Sequence, residues 1–150
     1  MASNNEMIYK EIKRQLNVAS EQIEAENYLS FSQLDRYKKS FLTLLDKRLK
    51  DGAEKYEEEV PITIDQCMRS NRDNLLEAIE EYVDASVYQM ADKLGSWSLE
   101  SENDDKWADY YIFHQRSLAH LIYAYFLLRG ALSKRAEINV NIKKKEDCNV

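Results

Sequence analysis

The chain has 150 residues, of which 44% are hydrophobic and 32% charged, and its formal net charge is −6 at pH 7. Its length suits one domain, and three glycines and one proline are too few for the many tight turns of an all-β or α/β fold. The composition therefore favours an all-α protein. The net negative charge disfavours direct nucleic-acid binding, because the chain as a whole repels phosphates.

The first two predicted helices follow from regular apolar spacing. Apolar residues from Ile8 to Ile23 recur at steps of three and four, which predicts a helix over residues 6–26. A second series predicts a helix over residues 33–51. Ser32 is the expected N-cap of this second helix, and Gly52 occupies the position of a C′ glycine.

A third helix is predicted over residues 65–94, after an acidic segment that ends at Pro61. Thr63 or Asp65 is the expected N-cap, because both side chains can accept a hydrogen bond from the first turn. Gly95 follows the last apolar residue, as a C′ glycine would. The third helix is therefore expected to be a single long element.

The last predicted helix, over residues 105–136, contains the densest apolar segment of the chain. Residues 118–128 include one polar member in eleven positions. Such a segment is typical of a helix buried on nearly every side, either at the centre of a bundle or shared with another subunit. Before this helix lies a polar loop whose Trp97 and Leu99 are expected to pack back onto the bundle.

The end of the chain alternates apolar and polar residues over 138–143, which is typical of a strand. An all-α domain offers no sheet for one strand to join, so we predict a disordered tail or a strand that completes a partner's sheet, and prefer disorder. The sequence thus predicts one helical bundle of about four long helices over residues 1–136, followed by a flexible charged tail over residues 137–150.

Compartment and membrane association are predicted from the cysteines and the apolar segments. Cys67 and Cys148 are too few for a disulfide scaffold, and residues 1–7 lack the apolar run of a signal peptide. Residues 118–128 are too short to cross a membrane. We therefore expect an intracellular protein, cytoplasmic or nuclear, with free thiols and no membrane association.

No residue pattern indicates a metal, a cofactor or a phosphate-binding loop. His114 and His120 are six positions apart and point in different directions on a helix, and glycine is too scarce for a phosphate loop. Arg116 and His120 resemble the Arg-x(4–6)-His motif of HEPN-type ribonuclease domains, but only three residues separate them. A helical ribonuclease that uses this pair remains an alternative to a binding protein.

Aromatic residues are concentrated in the last predicted helix, and aromatic and arginine side chains are enriched at protein interfaces. The sequence leaves open whether they fill a core or contact a partner. The candidate interface residues of this helix are Trp107, Tyr110, Tyr111, Arg116, Tyr123 and Phe126.

One stretch resembles the helical domain of a subunit of GINS, the scaffold complex of the eukaryotic replicative helicase. The residues that carry the resemblance are Arg69, Asn71, Arg72, Leu75, Leu76, Ala78, Gly95, Trp107 and Arg116–Ala119. The chain departs from the family at Asp73–Asn74 and at Glu80 and Glu81, and it lacks room for the family's small β domain. The resemblance implies a scaffold role in DNA replication, with Arg69 and Arg72 as further interface residues.

Together these observations favour a non-enzymatic helical adaptor or scaffold subunit that binds other protein subunits through an aromatic-rich helix. The first alternative is the ribonuclease with Arg116 and His120. The second is a viral or defence-system protein that binds and blocks a host factor, which nothing in the sequence separates from an adaptor.

Overall fold

The computed structural model describes residues 2–97 and 105–148, without the side chains of Trp97, Asp105 and residues 140–148. All regular structure in the described residues is helical, which confirms the all-α prediction. The helices are α1 (Asn4–Glu26), α2 (Phe31–Tyr56), α3 (Ile64–Ser70), α4 (Asn74–Trp97) and α5 (Asp105–Cys148). Their contacts divide the chain into an N-terminal unit up to Arg72 and a C-terminal unit from Asp73.

Capping boxes begin both long helices of the N-terminal unit. The Ser3 hydroxyl accepts from the Glu6 backbone N–H, and the Ser30 hydroxyl accepts from Gln33 in the same way. The side chains of Glu6 and Gln33 reciprocate by accepting from the cap residues' backbone. The N-cap of α2 is therefore Ser30 and not Ser32, because Gln33 completes a box only with Ser30.

The two glycines predicted to end helices lie inside them. α2 continues past Gly52 to Tyr56, and Glu57 takes the left-handed position with a φ of 59°. α4 continues past Gly95 to Trp97. A glycine inside a helix costs about 1 kcal/mol relative to alanine, which is too little to end a helix that the following residues extend.

In the N-terminal unit, α1 and α2 pack against each other around the buried Leu34. Two asparagines at the start of α1 form hydrogen bonds with the C-terminal part of α2 and with the segment that follows it. The Asn5 side chain donates to the backbone oxygen of Leu49 at 3.1 Å, and the Asn4 side chain donates to that of Val60 at 2.9 Å. These contacts close the α1–α2 hairpin.

The single helix predicted over residues 65–94 is two helices in the structure. Of the two predicted N-caps, Thr63 is the one that caps α3, and Asn71 ends this helix in the left-handed conformation with a φ of 50°. The Asp73 carboxylate accepts hydrogen bonds from the backbone N–H groups of Leu75 and Leu76, and so caps α4. This break raises the number of described helices to five.

In the C-terminal unit, α4 and α5 are antiparallel neighbours. Three polar contacts show this direction and fix the register of the two helices. From one contact to the next, the residue numbers in α5 fall as those in α4 rise. These contacts are Asp73–Arg135 at 2.8 Å, Gln89–Ser117 at 2.6 Å and Asp92–His114 at 2.8 Å.

α5 is longer than predicted, since its 44 residues run to Cys148. The alternating segment 138–142 is helical, so the prediction of a strand is wrong, while the flexible tail over residues 137–150 stays a prediction. A helix satisfies its backbone hydrogen bonds within itself, whereas a strand needs a partner. Because Arg135 pairs with Asp73, the later residues of α5 extend past the beginning of α4.

The polar loop that precedes α5, with the predicted packing of Trp97 and Leu99, lies outside the described residues. None of the described helices combines the length and the apolar character that a membrane crossing requires.

Candidate protein-binding surface

α4 carries two side-chain stripes, of which one lies against α5. Seven buried or half-buried side chains recur at alternating steps of four and three, which is the spacing that keeps one helix against a neighbour, and the half-buried Ala78 and Ala85 lie beside them. Apart from Ile79, which is 7% exposed, these side chains are only half-buried. We call this set the packed stripe: Leu75, Ile79, Tyr82, Ser86, Gln89, Lys93 and Ser96.

The second stripe of α4 is more apolar than the first, and it is exposed. It repeats with the same spacing, about a third of a turn around the helix from the packed stripe, since each residue turns the helix by about 100°. Its exposed fractions range from 37% at Met90 to 60% at Val87. We call this set the open stripe: Leu76, Val83, Val87, Met90 and Leu94.

The second half of the packed stripe is polar, and hydrogen bonds join it to α5. The carboxylate of Asp92, just beside the stripe, accepts from the hydroxyl of Tyr110 and pairs with Nε2 of His114 at 2.8 Å. The hydroxyls of Ser96 and Tyr110 lie 2.8 Å apart. The hydrogen bond from Tyr110 and then that with His114 lower the pKa of Asp92, and the carboxylate raises the pKa of Tyr110.

Three aromatic residues at the start of α5, Trp107, Tyr110 and Tyr111, belong to this packed side. Trp107 contacts Tyr110 edge-on with ring centroids 5.4 Å apart, and stacks on Tyr111 at 6.2 Å. The ring of His114 lies 4.7 Å from that of Tyr110. All four side chains are half-buried, so the predicted interface residues Trp107, Tyr110 and Tyr111 already have contacts within the C-terminal unit.

The central part of α5 does not bury its apolar segment on every side. Leu118, Leu121 and Leu128 are half-buried on the packed side. Tyr123 and Phe126 are 63% and 65% exposed on other faces. The prediction of burial within a bundle is therefore wrong for this chain by itself, while a helix shared with another subunit stays a prediction.

The open stripe and part of α5 lie on the same side of the unit. Since both helices are right-handed and run in opposite directions, the face of α5 beside the open stripe carries Ile122 and Phe126. These side chains are 41% and 65% exposed. We call the open stripe together with Ile122 and Phe126 the candidate surface.

Carboxylates border the candidate surface on the side away from α5. Glu80 and Asp84 are exposed there, with Glu77 one turn earlier on α4. No cation within the described part of the chain forms an ion pair with these three side chains. On α2, by contrast, Lys39, Lys47 and Lys50 each pair with an aspartate four residues away: Asp35, Asp51 and Asp46.

The arginines of the predicted interface belong to two different units of the chain. Arg69 and Arg72 belong to the N-terminal unit, where Arg69 is exposed and Arg72 is half-buried with its guanidinium 5.1 Å from the ring centre of Tyr56. Arg116 is exposed on α5 in the C-terminal unit.

The residues of the ribonuclease alternative are both exposed on α5, about one helical turn apart. The described hydrogen bonds between this part of α5 and α4 involve Tyr110, His114 and Ser117. No group of three or more histidine, cysteine or carboxylate side chains that could hold a metal occurs in the residues that the structure describes.

Sequence reasoning missed the open stripe as a candidate site. The helical pattern by itself places its residues on one broad apolar face together with Ile79 and Tyr82. Neighbouring apolar pairs, Leu75–Leu76 and Tyr82–Val83, were the available signal, because adjacent residues lie about 100° apart and cannot share one narrow contact.

Comparison of the chain with protein-family models, with curated protein sequences and with solved structures finds no significant match.

Proposed function

We propose that this protein is a non-enzymatic helical adaptor or scaffold subunit that binds other protein subunits through the candidate surface of its C-terminal unit. One observation carries the proposal. In the second half of α4, the residues that face α5 are polar, whereas the apolar residues Val87, Met90 and Leu94 are exposed.

The energetics favour an occupied surface. Each buried square ångström of apolar area contributes roughly 25 cal/mol, so the open stripe gains free energy only when another molecule covers it. Monomeric proteins rarely expose a continuous apolar patch of more than a few hundred square ångströms. A stripe of five side chains beside Ile122 and Phe126 is therefore more typical of an interface than of a free surface.

The aromatic side chains that contribute most to the interface follow from exposure. Phe126, at 65% exposure, borders the open stripe and is the strongest candidate for an anchor residue. Tyr111 is half-buried against Trp107, so its replacement would also disturb the unit itself. The proposal therefore assigns binding to Phe126 and the open stripe, and assigns Tyr111 to the packing of α5.

Photo-crosslinking in the cells that make the protein tests the proposal. A benzophenone amino acid at position 87 should crosslink one or a few proteins in defined proportion. The matched control places the same group at Glu81, which is exposed on another face of α4. Equal crosslinking from positions 81 and 87, or none from position 87, would reject the candidate surface.

The identity of the crosslinked proteins separates the narrower hypotheses. Helicase subunits and three other small helical proteins are expected if the resemblance to GINS subunits reflects a role in replication. The ribonuclease alternative requires the purified protein to cleave single-stranded RNA, and His120→Ala to remove that cleavage.

A further inference from the structure

The charges around the open stripe indicate what kind of partner fits it. α4 contains five carboxylates and one lysine, and that lysine, Lys93, lies in the packed stripe. Glu80 and Asp84 border the open stripe directly. A partner that covers the stripe therefore places its own flanking residues beside these carboxylates.

We propose that the open stripe binds an amphipathic helix of a partner protein that carries lysine or arginine on the flank facing Glu80 and Asp84. This inference rests on the proposed function and specifies the partner's chemistry.

The spacing of the stripe indicates a helical occupant. Leu76, Val83, Val87, Met90 and Leu94 follow steps of seven, four, three and four, with Glu80 at the skipped position. Alternating steps of three and four are the pattern that one helix presents to another. From Leu76 to Leu94 the stripe is about 27 Å long at 1.5 Å per residue, which a partner helix of about 18 to 20 residues would cover.

The same charges argue against an antiparallel second copy of α4 as the occupant. Two antiparallel open stripes packed together would place Glu80 and Asp84 of both copies along the same edge of the contact. Like charges at such flanking positions are destabilising, whereas opposite charges determine partner choice and orientation. A basic flank removes this repulsion and supplies cations to carboxylates that have none within the described residues.

Fluorescence anisotropy with three labelled 21-residue peptides tests the inference on the full chain. The first peptide has leucines at helical spacing with Lys and Arg flanks. The second has the same leucines with Glu flanks, and the third has the basic composition with its leucines scrambled. We expect the first peptide to bind at least about tenfold more tightly than each of the others.

Variants of the full chain locate the binding. Val87→Glu should abolish binding of the basic peptide, whereas Glu81→Gln should leave the basic peptide's affinity within about twofold. The double substitution Glu80→Lys with Asp84→Lys should reverse the preference and favour the acidic peptide. Circular dichroism of each variant verifies that its helix content is unchanged.

Several results would overturn the inference. Equal affinity for the basic and acidic peptides would reject the role of the carboxylates. Equal binding of the scrambled basic peptide would reduce the effect to charge attraction alone. Sedimentation that shows a dimer, lost on Val87→Glu, would assign the surface to a second copy. If a partner is crosslinked from position 87 in cells but either of these two peptide results is found, the adaptor proposal is retained and the basic helix is rejected.

Discussion

The two stripes of α4 are built on the same spacing, yet they differ in composition and in what covers them. The packed stripe begins with Leu75, Ile79 and Tyr82 and then becomes polar, and α5 lies against it along its length. The open stripe stays apolar as far as Leu94 and is exposed. Helix pairing within this chain is thus not decided by apolar area alone, since polar contacts join the second half of α4 to α5.

Those polar contacts are specific in a way that an apolar contact is not. Asp92 accepts from Tyr110 and pairs with His114, and Gln89 donates to Ser117 at 2.6 Å. Hydrogen bonds of this kind fix the register of two helices, because a shift by one turn leaves their donors and acceptors unpaired. The packed stripe therefore determines how α4 and α5 align, and the open stripe remains available for a different contact.

The largest expected effect on folding comes from Ile79→Ala in the packed stripe. Ile79 is 7% exposed, and its truncation removes buried methyl groups and leaves a cavity. We expect the free energy of unfolding to fall by about 2 to 3 kcal/mol. Urea unfolding followed by circular dichroism at 222 nm measures this loss. A loss smaller than that for Val87→Ala would contradict the division into two stripes.

A smaller loss is expected for Asp73→Ala, at the beginning of α4. This substitution removes the hydrogen bonds to the N–H groups of Leu75 and Leu76 and the ion pair with Arg135. We expect a loss of about 1 to 2 kcal/mol, mostly from the cap, because the ion pair is partly exposed. Asp73→Asn is the matched control, since its side-chain oxygen can still cap α4. Equal losses for both variants in urea unfolding would assign the effect to the ion pair.

Acid should weaken the same contacts. The hydrogen bonds from Arg135 and from the backbone of Leu76 lower the pKa of Asp73, and the Tyr110 hydrogen bond lowers that of Asp92. The stabilisation by these carboxylates is fully present above their unfolded pKa of about 4, and it is lost as the pH falls through their lower folded pKa. The urea concentration at the unfolding midpoint should therefore decrease when the pH is lowered below about 4. The fall should be shallower in Asp73→Asn, and an unchanged slope would contradict a contribution from Asp73.

The smallest effect is expected for Val87→Ala in the open stripe. Val87 is 60% exposed, so little buried area is lost, and alanine has a higher helix propensity than valine. The free energy of unfolding should change by less than about 0.5 kcal/mol. The same urea experiment measures it. A loss of more than about 1 kcal/mol would show that the protein already buries this side chain in solution.

The sequence by itself determined that the chain is helical and where most helices lie. Scarce glycine and proline, the capping residue Thr63 and the regular apolar spacing of α1 and α2 depend only on neighbours in the chain, because a helix forms its hydrogen bonds locally. The errors at Ser32 and Gly52 arose where two local signals competed and the cap that formed was another residue, Ser30 or Glu57. At Gly95 the error is that α4 continues past the glycine to Trp97.

Only the tertiary structure decided which apolar residues of α4 and α5 are covered. A helical wheel assigns Ile79 and Val83 to the same broad apolar face, but one neighbouring helix can cover only part of it. Which part it covers depends on the register fixed by Asp92, His114 and Tyr110, groups far apart in the sequence. The candidate surface is what that register leaves exposed, so local patterns alone could not separate it from the core.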